Sequence, residues 1–337
     1  MTVDLTIAGR GAVTPAGIGL DALLHGKPAI TRAEELRRPG RSWPVLRVNL
    51  KDPAFARWQR EPRLRRASPI TFFLVEAAAQ ALAGLTAEEC AATGLIVAYS
   101  AGCVAYSRRF YEGVVKQGQR AASPALFPET VFNSPASHVA AVLGLNGAAY
   151  ALVGDESAWV SALLTAAVWL KQGRVRQMLV LGAEEFDPLV LDAYRSARWL
   201  REKDARGFLT AEGAAGLLVR AAGPGDETRI TAARDGWIYR TRREAAQAAA
   251  ALLRDVDGTA PIYRSAEHAW LAPLEAGQLR GRTVAPDLPY LGEAFTASAA
   301  WHSVRASTLV GAARPRLLVP VWGLNHQLAL LELSHAK

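Results

Sequence analysis

From Tyr150 to Gly173 the chain reads as a short apolar strand, an acidic turn with one serine, and a long apolar helix. The turn is Val153-Gly-Asp-Glu-Ser157, and the helix runs from Ser157 to Lys171 with Gly173 as its stop. A side chain at such a turn stands where the unpaired N–H groups of a helix start point. Enzymes often seat a nucleophile there. Ser157 holds that position here.

The alternation of strand and helix extends over most of the chain. Val3–Ile7 alternates apolar and polar residues as a strand does, and a Gly/Pro-rich turn from Gly9 to Gly19 leads to a short helix, Leu20–Leu24. Gly9, Gly11 and Gly17 miss the spacing of a dinucleotide fingerprint. Residues 25–68, rich in Arg and Pro and poorly periodic, predict a surface excursion. A helix (Pro69–Leu82) and a strand (Leu95–Tyr99) follow, then a long loop through Pro124, Pro128 and Pro135. Helix Ala136–Leu143 and strand Ala149–Val153 precede the serine turn; strand Gln177–Leu181 follows it. The segment Arg206–Val219 ends in a strand, and Gly223-Pro-Gly225 marks a break. The second part is shorter: a strand from Arg229, a helix Arg243–Leu253, the run Pro261–His268, a helix Phe295–Gly311, and a hairpin of Leu317–Val321 and Gln327–Leu333. Strands alternating with helices predict a layered α/β fold, and two successive similar parts suggest duplication.

At 337 residues, 50% hydrophobic and 21% charged, the chain has the composition of a globular protein with a substantial core. No apolar run is long enough for a membrane span, and the start Met1-Thr-Val-Asp-Leu-Thr has no signal-peptide pattern, so a cytoplasmic protein is expected. Cys90 and Cys103 lack metal-ligand spacing and read as reduced and structural. No metal or cofactor is implied. The net charge of +8 fits an acidic partner or an Arg-rich composition. Arg57, Arg60, Arg63, Arg65 and Arg66 cluster around Trp58, as a solvated basic face or a docking patch; no nucleic-acid motif accompanies them.

Five segments, in order, carry a family resemblance. They are Gly9-x-Gly-Ala-Val-Thr-Pro-Ala-Gly17, Phe132-Asn-Ser-Pro-Ala-Ser-His138, Val180-Leu-Gly-Ala-Glu-Glu185, Gly207-Phe-Leu-Thr-Ala-Glu-Gly213 and Gly292-Glu-Ala-Phe-Thr-Ala-Ser298. With the serine turn they resemble the β-ketoacyl synthases. That resemblance implies a thiolase-like five-layered α/β/α/β/α sandwich with two pseudo-symmetric halves. The halves would be residues 1–222, the synthase-like N-terminal part, and 226–337, a shortened C-terminal part.

The resembling enzymes use one cysteine and two histidines. Here Ser157 stands at the cysteine position, Glu293 at one histidine, and the other falls near Arg264 by its spacing to Glu275. The gating loop is reduced to Trp322-Gly-Leu-Asn-His326. A serine without a base is a weaker nucleophile than a thiol, and a Glu293 carboxylate would repel an enolate. The resemblance therefore implies a non-condensing subunit, similar to the chain-length-factor partners of ketosynthases in polyketide or fatty-acid-type biosynthesis. Its expected partners are a ketosynthase subunit or a second copy in a dimer, paired through Ala149–Val153, and an acyl carrier protein. An alternative is a serine-dependent acyltransferase or thioesterase, with Ser157 acylated, His326 as its base and Glu293 orienting another group.

The serine has a plainer role open to it, as the N-terminal cap of its helix. His138 suits a structural hydrogen bond, His302 suits core packing, and Trp159 would line an acyl tunnel, reach a dimer seam or pack in the core.

Overall fold

The computed structural model describes residues 2–201, 207–223, 225, 227–254, 256, 258–266, 268, 271–278, 282, 284 and 288–335. Of the positions singled out above, Met1, Arg206, Pro224, Asp226 and Glu267 lie outside these residues.

Among the described residues one large sheet organises the chain. In spatial order its strands are Arg316–Trp322, Gln327–His335, Thr228–Ile238, Thr2–Thr14, Gly213–Ala221, Gln177–Glu184, Thr93–Tyr99 and Ala149–Val153, with Gly17–Ile18 folded back on Thr2–Thr14. Strand Thr93–Tyr99 is parallel to both its neighbours, and the other pairs are antiparallel. The first strand joins the two parts: its start pairs with Thr228–Ile238 and its length from Leu5 to Val13 with Gly213–Ala221.

Alternation along the strands sorts residues to opposite faces. Leu95, Val97, Leu179, Leu181 and Leu218 share a core with helices Pro69–Ala81 and Ser134–Leu143. Their neighbours Ile96, Ala98, Met178, Val180 and Leu217 share a second core with helices Ala158–Lys171 and Thr296–Leu309. The C-terminal strands close over those same two helices with Leu317, Val319, Val321, Leu331 and Leu333. Their far face, with Leu318, Trp322, Leu328 and Leu330, carries helix Arg242–Leu252. The layers therefore run α/β/α/β/α, and the serine-turn helix lies in the middle one.

Three regions differ from the sequence expectation. The first strand continues past Ile7 to Thr14. A Cβ at Gly9 or Gly11 would lie 1.9 Å from the carbonyl oxygen of Ala81 or Ala77, so these glycines let the strand pass under helix Pro69–Ala81 rather than make a turn. Residues 25–68 are not only a surface excursion. Ile30–Glu34 and Ser42–Leu46 form a hairpin whose second strand pairs in parallel with Thr210–Ala211, and Phe55, Trp58 and Leu64 are buried core anchors. Their irregular spacing hides them from a periodicity search. Finally, the loop after Tyr99 contains a helix, Val104–Gln117, none of whose side chains is buried. Ion pairs of Arg108 with Asp187 and Glu112 stand in for a core face.

Candidate functional site

Strand Ala149–Val153 ends where Gly154 N donates to Tyr99 O, and the chain turns straight into the central layer. Asp155, Glu156 and Ser157 are 2%, 3% and 2% exposed, so three polar side chains enter the protein interior together. The turn is closed by Asp155, whose Oδ1 accepts from both Ser157 N at 3.0 Å and Ser157 Oγ at 2.7 Å. Ser157 stands at the N-cap position in a helical conformation and its side chain makes no capping bond. Its role is therefore not that of a cap hydroxyl: the Asp155 carboxyl orders the turn instead.

The second partner of the Ser157 hydroxyl is Gln327 Oε1, from the start of the last strand. A hydroxyl has one proton and cannot donate to both oxygens. An amide turned to present its NH2 to Oγ meets the count with the Oγ proton on Asp155. Burial raises the Asp155 pKa above its usual value, against the Ser157 bonds that lower it. Asp155 Oδ2 has no hydrogen-bond partner and rests on Gly323, where a Cβ would come within 2.3 Å of it.

Glu156 points into the interior and accepts from Leu324 N, 3.2 Å from each carboxyl oxygen. Burial, then the charges of Glu293 and Asp155, push its pKa well above the carboxylate range. Glu293 follows Gly292 and is tied in by backbone bonds, its N–H donating to Leu209 O at 2.8 Å and its carbonyl accepting from Ala211 N at 2.9 Å. Its carboxyl accepts from Phe295 N at 2.7 Å, and burial pushes its pKa up to about 7. Phe295 takes a positive φ of 47°, unusual for a bulky residue, to place its ring against Tyr194 at 5.1 Å.

The structure thus brings the buried Ser157, Asp155, Glu156 and Glu293 together with the half-buried Gln327. His326 stands apart from it. It is exposed, and its ring lies 5.6 Å from that of Tyr239. The hydroxyl of Ser157 is committed to Asp155 and Gln327, not to His326. In the sequence Gln327 reads only as a strand residue, and Asp155 and Glu156 only as the acids of a turn. Only the shortened loop Trp322–His326 hinted that the facing segment had changed.

Chemically the group is acid-rich and closed. The first helical N–H groups are engaged, Ala158 N with Asp155 O, Trp159 N with Glu156 O and Val160 N with Ser157 O. They are not free to stabilise an oxyanion. Among the described residues no set of three or more His, Cys, Asp or Glu is arranged to hold a metal ion.

The other singled-out residues lie outside this group. Trp159 is fully buried and donates to Ser303 Oγ at 2.8 Å, joining the two central helices. His302 lies 3.3 Å from the Tyr263 hydroxyl, and His138 pairs with Glu129 at 3.0 Å. Arg264 is exposed, while Glu275 accepts from Ser265 N and Trp322 Nε1 and braces the segment beside it. In the arginine cluster, Arg57 pairs with Glu76 and lies over the Trp58 ring, and Arg63 pairs with Glu61. Arg60, Arg65 and Arg66 are exposed.

The profile of the β-ketoacyl synthase N-terminal domain matches residues 6–222. The chain belongs to the β-ketoacyl synthase family. Solved structures of synthases share its thiolase-like fold over almost its whole length. The ishigamide ketosynthase/chain length factor is 21% identical, with a TM-score of 0.79, covering 99% of this chain and 100% of that one. A chain of AntDE:AntF, a type II polyketide acyl-carrier protein in complex with its ketosynthase bound to the hexaketide, is 16% identical, with a TM-score of 0.76 and full coverage of both chains. A β-ketoacyl synthase from Burkholderia phymatum STM815 is also 16% identical, with a TM-score of 0.76, covering 99% of this chain and 100% of its own. No curated protein matches. Among the described residues no helix of this synthase-family chain is long and apolar enough to cross a membrane.

Proposed function

We propose that the chain is a non-condensing β-ketoacyl-synthase-like subunit that pairs with a ketosynthase in the manner of a chain length factor. One observation carries the reading. The residue at the nucleophile position, Ser157, has its hydroxyl held by Asp155 and Gln327, and Glu293, at a histidine position, is a buried carboxyl. A nucleophile needs a base and a developing oxyanion needs donors; this group supplies acids. The serine-acyltransferase alternative has less support, because the base it requires, His326, is exposed beside Tyr239.

The surface supports pairing. Ala149–Val153 is an edge strand with Tyr150 53% and Val153 55% exposed, and Tyr111, Val115, Phe127 and Phe132 add exposed apolar side chains on the chain segments between residues 104 and 133. Unpaired apolar edges invite a partner. Arg60, Arg65 and Arg66 offer a basic face suited to an acidic carrier protein. Residues 1–222 and 226–337 would be the two halves of the duplicated unit. The free thiols of Cys90 and Cys103 accord with a cytoplasmic setting.

The test is an assay of the purified chain with acyl- and malonyl-carrier protein, and co-expression with a Cys-His-His synthase followed by size-exclusion chromatography. The chain alone is expected to give no β-ketoacyl product and to co-elute with the synthase. Condensation by the chain alone would overturn the reading.

A further inference from the structure

We propose that the outer edge of strand Ile30–Glu34 is a docking edge for a partner polypeptide, which adds an extended acidic segment to the small sheet as a further strand. The proposal goes beyond the reading of Ser157, and its test reads neither condensation nor pairing with a synthase.

Strand Ile30–Glu34 ends the small sheet. It pairs with Ser42–Leu46 on one side, and among the described residues no strand lies on the other. Glu35 N donates to Arg41 O, and Ala33 and Thr31 stand opposite Trp43 and Val45. In an antiparallel pair the ladder bonds fall on every second residue. Those of Glu35, Ala33 and Thr31 therefore turn inward, and the N–H and C=O groups of Glu34, Arg32 and Ile30 turn outward. The strand is exposed along its length except at the half-buried Ala33. Such edges are normally guarded by charge, proline or a bulge. Here the register is unbroken from Ile30 to Glu34, and the strand holds no proline. Arg32 is turned back across the sheet, its Nε donating to Ser42 Oγ at 2.9 Å and its Nη2 to Ser42 O at 2.6 Å. Only Glu34, at the end of the strand, is left as a charge on the edge.

The hairpin behind this edge is fixed to the body of the chain. The buried Glu35 accepts from Trp43 Nε1 at 2.6 Å and pairs with Arg41 and Arg195. Asp192 Oδ2 accepts from Arg37 N at 3.1 Å. Asp192 and Arg195 both stand on helix Pro188–Ser196, so the edge is already ordered and binding need not order it. The side chains around the edge define the occupant. Lys27 lies before the strand and Arg37 and Arg38 after it, all three exposed. Between them Ile30 and Leu36 are 62% and 41% exposed. An extended segment with carboxylates toward its ends and apolar residues between them meets both features. A second copy of this chain does not. Two such edges laid antiparallel about Arg32 would set Arg32 against Arg32 and Lys27 toward Arg37, like charges in each case. The geometry is that of strand addition, in which main-chain bonds give affinity and side chains give selectivity.

The probe is a capped peptide of about ten residues, alternating glutamate and valine and carrying a fluorophore, titrated against the full chain by fluorescence anisotropy. It is expected to bind saturably with a Kd of about 0.1 mM or tighter, and more weakly as salt rises. The same peptide with lysine in place of glutamate is expected to bind at least about tenfold more weakly. Hydrogen exchange locates the site: bound peptide should raise the protection of the Ile30, Arg32 and Glu34 amides and leave the other exposed edge, Ala149–Val153, unchanged. Arg37→Glu combined with Arg38→Glu should weaken binding about tenfold. Arg32→Pro removes an outward N–H and no bond to Ser42–Leu46, and should weaken it by a similar factor. Absence of saturable binding, equal affinity for the two peptides, or protection gained at Ala149–Val153 instead would each overturn the proposal. These readings on the wild-type chain decide it even where Arg32→Pro does not fold. Affinity unchanged in both variants would overturn it as well.

Discussion

At Ser157 a single hydroxyl separates two kinds of protein. Its Oγ lies 2.7 Å from Asp155 Oδ1 and bonds to Gln327, so removal of the hydroxyl takes a partner from a buried carboxyl and a half-buried amide. The loss differs in kind from that of a cap. Ser157→Ala is expected to lower unfolding stability by about 1–3 kcal/mol, the usual cost of leaving buried polar groups unsatisfied. Urea unfolding measures this. Partner-dependent activity should survive within a few-fold in the same variant. Its abolition, or an acyl adduct on wild-type Ser157 by intact-mass spectrometry, would make the residue a nucleophile.

Among elements, the edge strand Ala149–Val153 is apolar in sequence yet incompletely surrounded. It pairs only with Thr93–Tyr99, and its residues are half-buried or exposed although four of the five are Ala, Leu, Val or Ala. Strand edges of this kind are normally blunted by charge, proline or a covering element. Here the sequence supplies neither charge nor proline. A charge placed at the exposed Val153 is therefore expected to act on association rather than on folding. Val153→Arg should convert a dimer, with itself or with a synthase, into monomer by light scattering while leaving the thermal midpoint within a few degrees. An unchanged oligomer would place the interface elsewhere.

For the whole molecule, the number of buried acids sets the pH response. Burial pushes the pKa of Glu184 to about 7, Glu185 to about 8 and Glu293 to about 7, from an ordinary 4.5. Each therefore binds its proton more tightly folded than unfolded. The stability this confers is complete below pH 4.5 and is lost as pH rises through 7 and 8. His268 and His302 act the other way: burial lowers them to about 4 and about 3 from 6.5, so they favour the folded state above pH 6.5 and weaken it as acid is added. Above neutrality only the carboxyls still titrate among these groups. The urea midpoint is expected to fall between about pH 6.5 and about pH 8.5. A flat or rising midpoint there would mean that these carboxyls are already ionised in the folded chain.

The sequence alone determined what depends on neighbours along the chain. Short apolar runs marked Thr93–Tyr99, Ala149–Val153 and Gln177–Glu184 as strands to within a few residues, and longer ones Pro69–Ala81 and Ala158–Lys171 as helices. Five short segments were enough to indicate the layered fold, and Ser157 and Glu293 could be named as changed positions before any coordinates. Helix Val104–Gln117 escaped because it buries no side chain, and the anchors Phe55, Trp58 and Leu64 because they follow no period. The tertiary structure alone decided what surrounds the changed positions. Ser157 and Gln327 are 170 residues apart, and Glu156 meets Leu324 across 168. No local pattern encodes such distances. They close because the C-terminal strands wrap the same central helices as the N-terminal strands, and burial then gathers a serine and three acids into the interior.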